Sequence, residues 1–328
     1  MYIGWVGVVG VEHLVSELVS NSIDEFLCGK ASEVRVKLHQ DIIEVSDDGE
    51  GLPFDVPGEN GFENEGSSYL THAHRTPTAN NHVPHIHLHR GAAAGLAAVS
   101  ALSAWLRVRS WRAGKLWEQE FRTGLPTGAA KVVQEGEGRG TTVEFIPDAD
   151  IMKATHPRAA AIRARLFEAA HIFPGLAIGF QKEAFHAPNG LADLAFIQER
   201  QSSPEDRRWQ GRPAFYFHSR VGEVVLTVAA LGETKEQGCW YTWVNGSRTP
   251  QDGSHRDGFS DALCDVQWTP SVVMLHAVML NTRFAGPTRD CLIVPEIRPV
   301  ISQGVSDALK AYCCEHRVGR FFDSSYHV

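Results

Sequence analysis

His13-Leu-Val-Ser-Glu-Leu-Val-Ser-Asn-Ser-Ile-Asp-Glu25 is the stretch that decides how the rest of the chain is read. At roughly 100° per residue, Val15, Leu18, Val19, Ile23 and Phe26 fall on one broad apolar face, so an amphipathic helix is expected over residues 12–27. Glu17, Asn21 and Asp24, spaced i, i+4 and i+7, form a narrow polar stripe on the opposite face. Gly29 supplies a stop. On its own the stripe reads as the solvated face of a surface helix. It is also a usable set of ligands. A carboxylate at 17 could polarise a water, and a neutral amide one turn on could offer a hard oxygen to Mg²⁺ beside a triphosphate.

Working outward, Glu33-Val-Arg-Val-Lys-Leu-His39 alternates as a half-buried strand. Ile42-Ile-Glu-Val-Ser46 is a second strand, with Gln40-Asp41 as the hairpin turn. It runs into Asp47-Asp-Gly-Glu-Gly-Leu-Pro53. A buried carboxylate at a strand end can accept from an adenine amino group, and Gly49 and Gly51 would let the backbone approach the base. Alone, the string reads as a surface turn, because Asp and Gly are turn residues.

Residues 55–90 are polar and rich in Gly, Asn, Pro and His, a length of loop that is usually functional. Residues 91–106 read as a helix of small residues. Strands are expected near 107–111 and 116–122, joined by Arg112-Ala-Gly-Lys115, and at 141–146, followed by a helix over 159–170. Residues 199–213 look like a linker. Strands resume at 214–218, 223–230 and 239–244, then an apolar run at 271–280 and a helix near 296–315. The order is α+β followed by a second α/β unit, which places the domains at 1–203 and 204–328.

Composition narrows the function classes. A chain of 328 residues suits two domains, and 43% hydrophobic residues are enough for two cores. The net charge of -8 argues against a free-standing DNA-binding domain, so any DNA contact needs a local patch or a partner. None of the six cysteines forms a CxxC pair, and their spacings suggest no disulfide framework or zinc site, which suits a reducing cytoplasm. The N-terminus has no signal-peptide pattern, and the most apolar run, 91–106, is too short to span a bilayer.

Taken together, the motifs resemble the GHKL ATPases, the superfamily of gyrase, Hsp90, histidine kinases and MutL. Within it they are most similar to the ATPase halves of the gyrase and topoisomerase IV B subunits. Met1-Tyr-Ile-Gly4 resembles the family's start, 13–25 its first motif and 47–53 its second. Ala98-Val-Ser-Ala-Leu-Ser103 with Arg112-Ala-Gly-Lys115 resembles the segment after the ATP lid, and Gly140-Thr-Thr-Val-Glu-Phe145 the later nucleotide-site strand. Residues 244–259 and Arg283-Phe-Ala-Gly-Pro-Thr-Arg-Asp290 look like the transducer domain. The resemblance implies a GHKL (Bergerat) α/β sandwich followed by a transducer of the ribosomal-S5-like type. It implies ATP and Mg²⁺ as ligands, with Glu17 as catalytic base, Asn21 on the metal and Asp47 on adenine with Gly49 and Gly51 beside it. Thr141 would share the adenine-side water network, Arg112 would sit on the pocket rim, and Asp24 and Glu25 would lie in the supporting shell.

The resemblance has departures. Glu50 stands where the family has arginine, and that arginine pairs with the acid matched here by Glu25, so like charges should raise a pKa or force separation. The glycine-rich lid is thinned to His89-Arg-Gly-Ala-Ala-Ala-Gly95, in which Gly91 and Gly95 keep part of the phosphate cradle and Arg90 adds a contact. Arg289, in Pro287-Thr-Arg289, stands for the transducer lysine that reaches the γ-phosphate. The sequence starts at the MYIG motif and stops after the transducer. The expectation is therefore weaker ATP-driven homodimerisation and no DNA cleavage without a gyrase A-like or cleavage subunit. A transducer pair could enclose DNA with Arg220, Arg248, Arg256 and Arg283. The alternative is a nucleotide-sensing interaction module with little turnover. His72, His74, His82, His85, His87 and His89 crowd one stretch, as polar filler, a metal site or a pH-sensitive lid.

Overall fold

The structure, a computed structural model, describes residues 4–59, 63–73, 84–89, 95–202 and 213–321. Residues 1–3 of the MYIG start, His74, His82, Arg90, Gly91 and most of the expected linker lie outside the described residues. The chain divides into two compact units, Met1–His186 and Ala187–Val328.

In the first unit, α1 (Val8–Leu27) buries Val11, Leu14, Val15, Leu18, Val19 and Ile23. Its polar face is buried as well. Glu17 is 6% exposed and Asp24 4%, so this stripe is no solvated face. β1 (Glu33–His39) and β2 (Ile42–Asp47) form the expected antiparallel hairpin, with Val36 opposite Val45. α2 (Glu65–Thr71) interrupts the long polar loop. Asn64 caps it, accepting from the Ser67 N–H at 2.8 Å.

α3 (Gly95–Ala101) is shorter than the helix expected over 91–106. It stops because β3 (Ser103–Arg112) begins there, alternating buried Leu106, Val108 and Ser110 with more exposed neighbours. β4 (Lys115–Arg122) returns through Ala113 and Gly114, both at positive φ (52° and 72°), the backbone that a tight hairpin turn requires. Then follow β5 (Leu125–Pro126), β6 (Lys131–Glu135), β7 (Thr141–Pro147), α4 (Ala159–Ile172), β8 (Ala177–Phe180) and β9 (Glu183–Phe185). The sheet order is β5-β4-β3-β7-β2-β1-β8-β9, with β6 also on β4. β2 and β7 are therefore central neighbours, which brings Asp47 and Thr141 to the same end of the sheet.

The second unit starts earlier than the expected 203/204 division. α5 (Leu191–Ser202) overlaps the supposed linker and packs on strands of the second sheet. β10 (Phe215–Val221), β11 (Val224–Leu231), β12 (Cys239–Val244), β13 (Ser247–Arg248) and β14 (Val272–Val278) give the order β10-β11-β14-β12-β13. α6 (Ser254–Val266) and α7 (Ile297–His316) close one core around Phe259, Leu275, Ile301 and Leu309. All six cysteines are free. Among the described residues no helix is long and apolar enough to cross a membrane.

Candidate functional site

A pocket opens in the first unit between α1 and the β2–β7 end of the sheet. Leu18, Val45, Leu52, Leu96 and Val143 make its apolar walls. Asn21, Ser22, Asp24, Glu25, Asp47 and Thr141 supply its polar groups. Residues i, i+3 and i+4 of one helix share a face, which is why 18, 21, 22 and 25 arrive together.

Asp47 is fixed on three sides. Ser22 Oγ donates to Oδ2 at 2.8 Å, and the N–H groups of Gly49 and Thr141 donate to Oδ1 at 3.0 and 3.2 Å. Burial raises the pKa of Asp47 against these donors. Two glycines keep the backbone tight here. A Cβ on Gly51 (φ 86°) would lie 2.2 Å from the Trp111 carbonyl oxygen, and one on Gly140 (φ 94°) would lie 1.9 Å from that of Asp47. No side chain fits at either position. Ser110 Oγ, 3.4 Å from Thr141 Oγ1, accepts the Leu52 N–H at 2.6 Å and ties the second motif to β3. The amide nitrogen of Asn21 is buried and has no hydrogen-bond partner among the described residues.

Glu17 lies farther along α1 and is not among the pocket walls. His13 Nε2 donates to its Oε1 at 3.0 Å, and the Gly95 N–H donates to Oε2 at 2.8 Å. Burial acts to raise the Glu17 pKa, but the His13 and Gly95 hydrogen bonds outweigh it and hold the carboxyl below its ordinary value. His13 is itself stacked on His89, with centroids 4.4 Å apart, and Trp5 meets the edge of His89 at 5.3 Å. Asp24 accepts from the Ile86 N–H at 2.9 Å and faces His85 Nδ1 at 3.3 Å. Burial pushes Asp24 up to about 6, and the bond to Asp24 raises His85.

The rim shows how the chain accommodates two neighbouring acids, Glu25 and Glu50. Glu50 turns outward onto Lys30 Nζ and sits 3.8 Å from Arg112 Nη1. The hydrogen bond from Lys30 holds Glu50 below its usual range. Glu25 stays behind and rises, chiefly through burial, with Asp47 and Glu50 adding to it. Arg112 donates to the Gly51 carbonyl at 3.2 Å and to Asp55 at 3.1 Å.

Asn21, Asp24, Asp47, Gly51 and Thr141 thus meet at one pocket, Gly49 binds Asp47, Arg112 lies on the rim, and Gly95 reaches Glu17. Arg90 and Gly91 lie outside the described residues. Arg289 belongs to the second unit, at φ 57°, with its guanidinium 5.7 Å from the Phe284 ring centroid. Sequence reasoning missed Ser22, His13, Ser110 and Gly140. The signal for Ser22 is its place directly after Asn21 within the first motif, and for His13 its i, i+4 spacing to Glu17. Among the described residues no cluster of His, Cys, Asp and Glu is arranged to hold a metal ion, so the metal-site reading of the histidines finds no support there.

Residues 8–151 match the family model described as histidine kinase-, DNA gyrase B- and HSP90-like ATPase. With the sheet, helix and pocket above, that part of the chain is a GHKL ATPase domain. The chain is similar to the DNA gyrase B protein of Thermotoga maritima, 36% identical over 201 residues, which are 59% of this chain and 31% of the relative. It is also similar to the DNA gyrase B protein of Thermus thermophilus, 30% identical over 341 residues, which are 94% of this chain and 52% of the relative. The chain thus spans between 31% and 52% of the length of these two relatives. Among solved structures it superposes on the 43K ATPase domain of Thermus thermophilus gyrase B in complex with an aminocoumarin. The TM-score is 0.77 and the identity 26%, covering 96% of this chain and 88% of that one. The mixed architecture of a GHKL domain followed by a transducer unit agrees with that match over nearly the whole chain.

Proposed function

We propose that this chain binds ATP with Mg²⁺ in the pocket beneath α1 and hydrolyses it, as a module paralogous to the B subunits of type IIA topoisomerases. The observation that carries the reading is the Asp47 carboxylate, held by Ser22, Gly49 and Thr141 beside two glycines that admit no side chain. A carboxylate so fixed, with apolar walls around it, suits the exocyclic amino group of adenine. Thr141 and its neighbour Ser110 would order water on the same edge.

The donor set at Asn21 fits magnesium. Its amide has an uncommitted nitrogen and lines the pocket, so the side chain can turn its neutral oxygen to a hard cation. Bound Mg²⁺ would neutralise phosphate charge. Glu17 would take the proton of the attacking water. Arg112 would close the rim, while Arg90, Gly91, Gly95 and Arg289 would face the phosphates. The first unit then acts as the nucleotide domain and the second as transducer, in a homodimer clamp formed on ATP binding. DNA and a gyrase A-like or cleavage subunit would be its partners. Of the arginines that could face DNA, Arg283 is paired with Glu296 at 2.8 Å, Arg256 with Asp252, and Arg248 stacks at 5.1 Å from the Trp243 ring centroid.

The second reading, a nucleotide sensor with little turnover, has one observation in its favour. Both oxygens of Glu17 already accept hydrogen bonds and its proton affinity is lowered, which weakens it as a base. Turnover decides between them. ATP hydrolysis by wild type and Glu17→Ala should differ by about 10²–10⁴-fold, the usual loss of a general base, measured with and without DNA. Equal rates would leave the sensor reading.

A further inference from the structure

The loop that carries Arg289 is a short ribbon within the second unit, and the turn that opens α6 grips its base. Leu292 pairs on both sides, antiparallel with Phe284 and parallel with Gly253. On the first side the Ala285 N–H donates to the Cys291 carbonyl at 3.0 Å, and the Ile293 N–H to that of Arg283 at 2.7 Å. The ribbon closes at its tip. There the Arg289 N–H donates to the Gly286 carbonyl at 3.2 Å, and Arg289 turns to φ 57°. On the second side the Gln251 N–H donates to the Asp290 carbonyl at 3.0 Å, the Leu292 N–H to that of Asp252 at 3.1 Å, and the Ser254 N–H to that of Leu292 at 3.0 Å. Asp290 follows Arg289 directly, so the grip begins one residue from the arginine at the tip.

Two residues of the turn make this contact close. A Cβ on Gly253 (φ 127°) would lie 2.3 Å from the Leu292 carbonyl oxygen and 2.6 Å from its nitrogen, so no side chain fits there. Ser254 adds a side chain to the grip. Its hydroxyl accepts the Val294 N–H at 3.0 Å and donates to the Leu292 carbonyl at 3.3 Å. Ser254 and Leu292 are 8% and 1% exposed, so a Val294 N–H deprived of this acceptor would have no ready replacement in water. Ser254 is not among the walls of the pocket under α1. Its reach into the chemistry runs through the ribbon. A cation that must meet a ligand oxygen at hydrogen-bond distance tolerates little drift of the backbone that carries it.

We propose that Ser254 is a positioning residue for Arg289: by holding Leu292 and Val294 to the first turn of α6, its hydroxyl fixes where the ribbon presents the arginine. The inference rests on Arg289 being a phosphate contact in the proposed ATPase. Because Ser254 acts through Arg289, removing the hydroxyl weakens what depends on the terminal phosphate and leaves binding of the diphosphate unchanged.

The test uses the full chain with Ser254→Ala, Ser254→Thr, Arg289→Ala and the double variant Ser254→Ala/Arg289→Ala. Ser254→Cys, of similar shape and with a weak acceptor, takes the place of Ser254→Ala if that variant melts below the working temperature. Affinities for ATP and ADP are measured by calorimetry, with kcat, KM and the amide exchange of Val294. The expected result for Ser254→Ala is faster exchange at Val294 and an ATP-to-ADP affinity ratio lowered about 3- to 10-fold, the scale of one weakened hydrogen bond, with ADP affinity within about twofold of wild type. Ser254→Thr restores the ratio, and the double variant is no worse than Arg289→Ala alone, as for residues that act through one another. A wild-type ratio in Ser254→Ala overturns the proposal. So does a loss of the same size on the Arg289→Ala background, which would leave Ser254 a structural residue only. Arg289→Ala with a wild-type ratio overturns the underlying reading of Arg289 and the positioning role with it, while the exchange at Val294 still reports whether the Ser254 grip is there.

Discussion

At the scale of single residues, the molecule separates three carboxylates on one helix by environment. Glu17 is held below its ordinary value by His13 and Gly95, Asp24 is pushed up to about 6, and Glu25 rises beside Glu50. The sign for Asp24 follows from proton linkage. Its folded pKa exceeds the unfolded value of 3.8, so the stability it contributes is full below pH 3.8 and is lost as pH rises through about 6. His85, also raised, loses its contribution as pH climbs through its own elevated pKa. Glu17 acts in the other direction and loses its contribution only as pH falls below 4.5. Asp24→Asn keeps an acceptor for the Ile86 N–H without the buried charge. It should raise the unfolding free energy by on the order of 3 kcal/mol at pH 8 and by about half of that at pH 5, read by denaturant melts at both values. A larger gain at pH 5 would contradict the account. The type of residue at 17, 21 and 24 was legible from spacing alone, but their burial was not. A stripe of Glu, Asn and Asp reads as solvated until the residues that cover it, Ile86 on Asp24 and Gly95 on Glu17 among them, are placed, and those lie far off in sequence. The same holds for Glu50. Its like-charge conflict with Glu25 was visible, whereas its resolution depends on Lys30 and Arg112.

At the scale of elements, period decides how much of the fold the sequence shows. The α1 stripe and the β1–β2 hairpin have unbroken 3.6- or 2-residue patterns and stand where those patterns place them, while the strand expected at 239–244 is β12 and the apolar run at 271–280 holds β14, a strand buried on both faces. Residues 91–106 read as one helix because Ala and Gly carry no strand signal. The tertiary pairing of Leu106 with Phe145 and Val108 with Val143 sets where β3 starts. α2 escapes because it sits in a polar stretch, and α5 because it is short and ends in the polar run Gln198-Glu-Arg-Gln-Ser202. For α2 the readable sign is the cap, Asn64 three residues ahead of Ser67. Asn64 is 5% exposed and accepts from both the Ser67 N–H and its hydroxyl. Asn64→Ala should therefore cost about 1 to 2 kcal/mol, seen as a lower thermal midpoint. A midpoint equal to wild type would show that α2 contributes nothing to the stability of the first unit.

At the scale of the whole molecule, one GHKL domain and one transducer-like unit are each built around a single sheet and core. The family resemblance was legible because its motifs are spread over both units in order, so that a chance match at one would not repeat at the next. The sequence puts the division between the units later than the structure does, since α5 shows little apolar periodicity and ends in a charged stretch. The proposed function rests on the pocket under α1, where Asp47 is the group that would meet the adenine amino group. Calorimetric titration with ATP and Mg²⁺ at neutral pH tests that directly, comparing wild type with Asp47→Asn at matched thermal stability. The account predicts one saturable site per chain in the wild type and a loss of about 10- to 100-fold in the variant, as for a hydrogen bond to a charged group. No binding by the wild type, or equal binding by the variant, would contradict it.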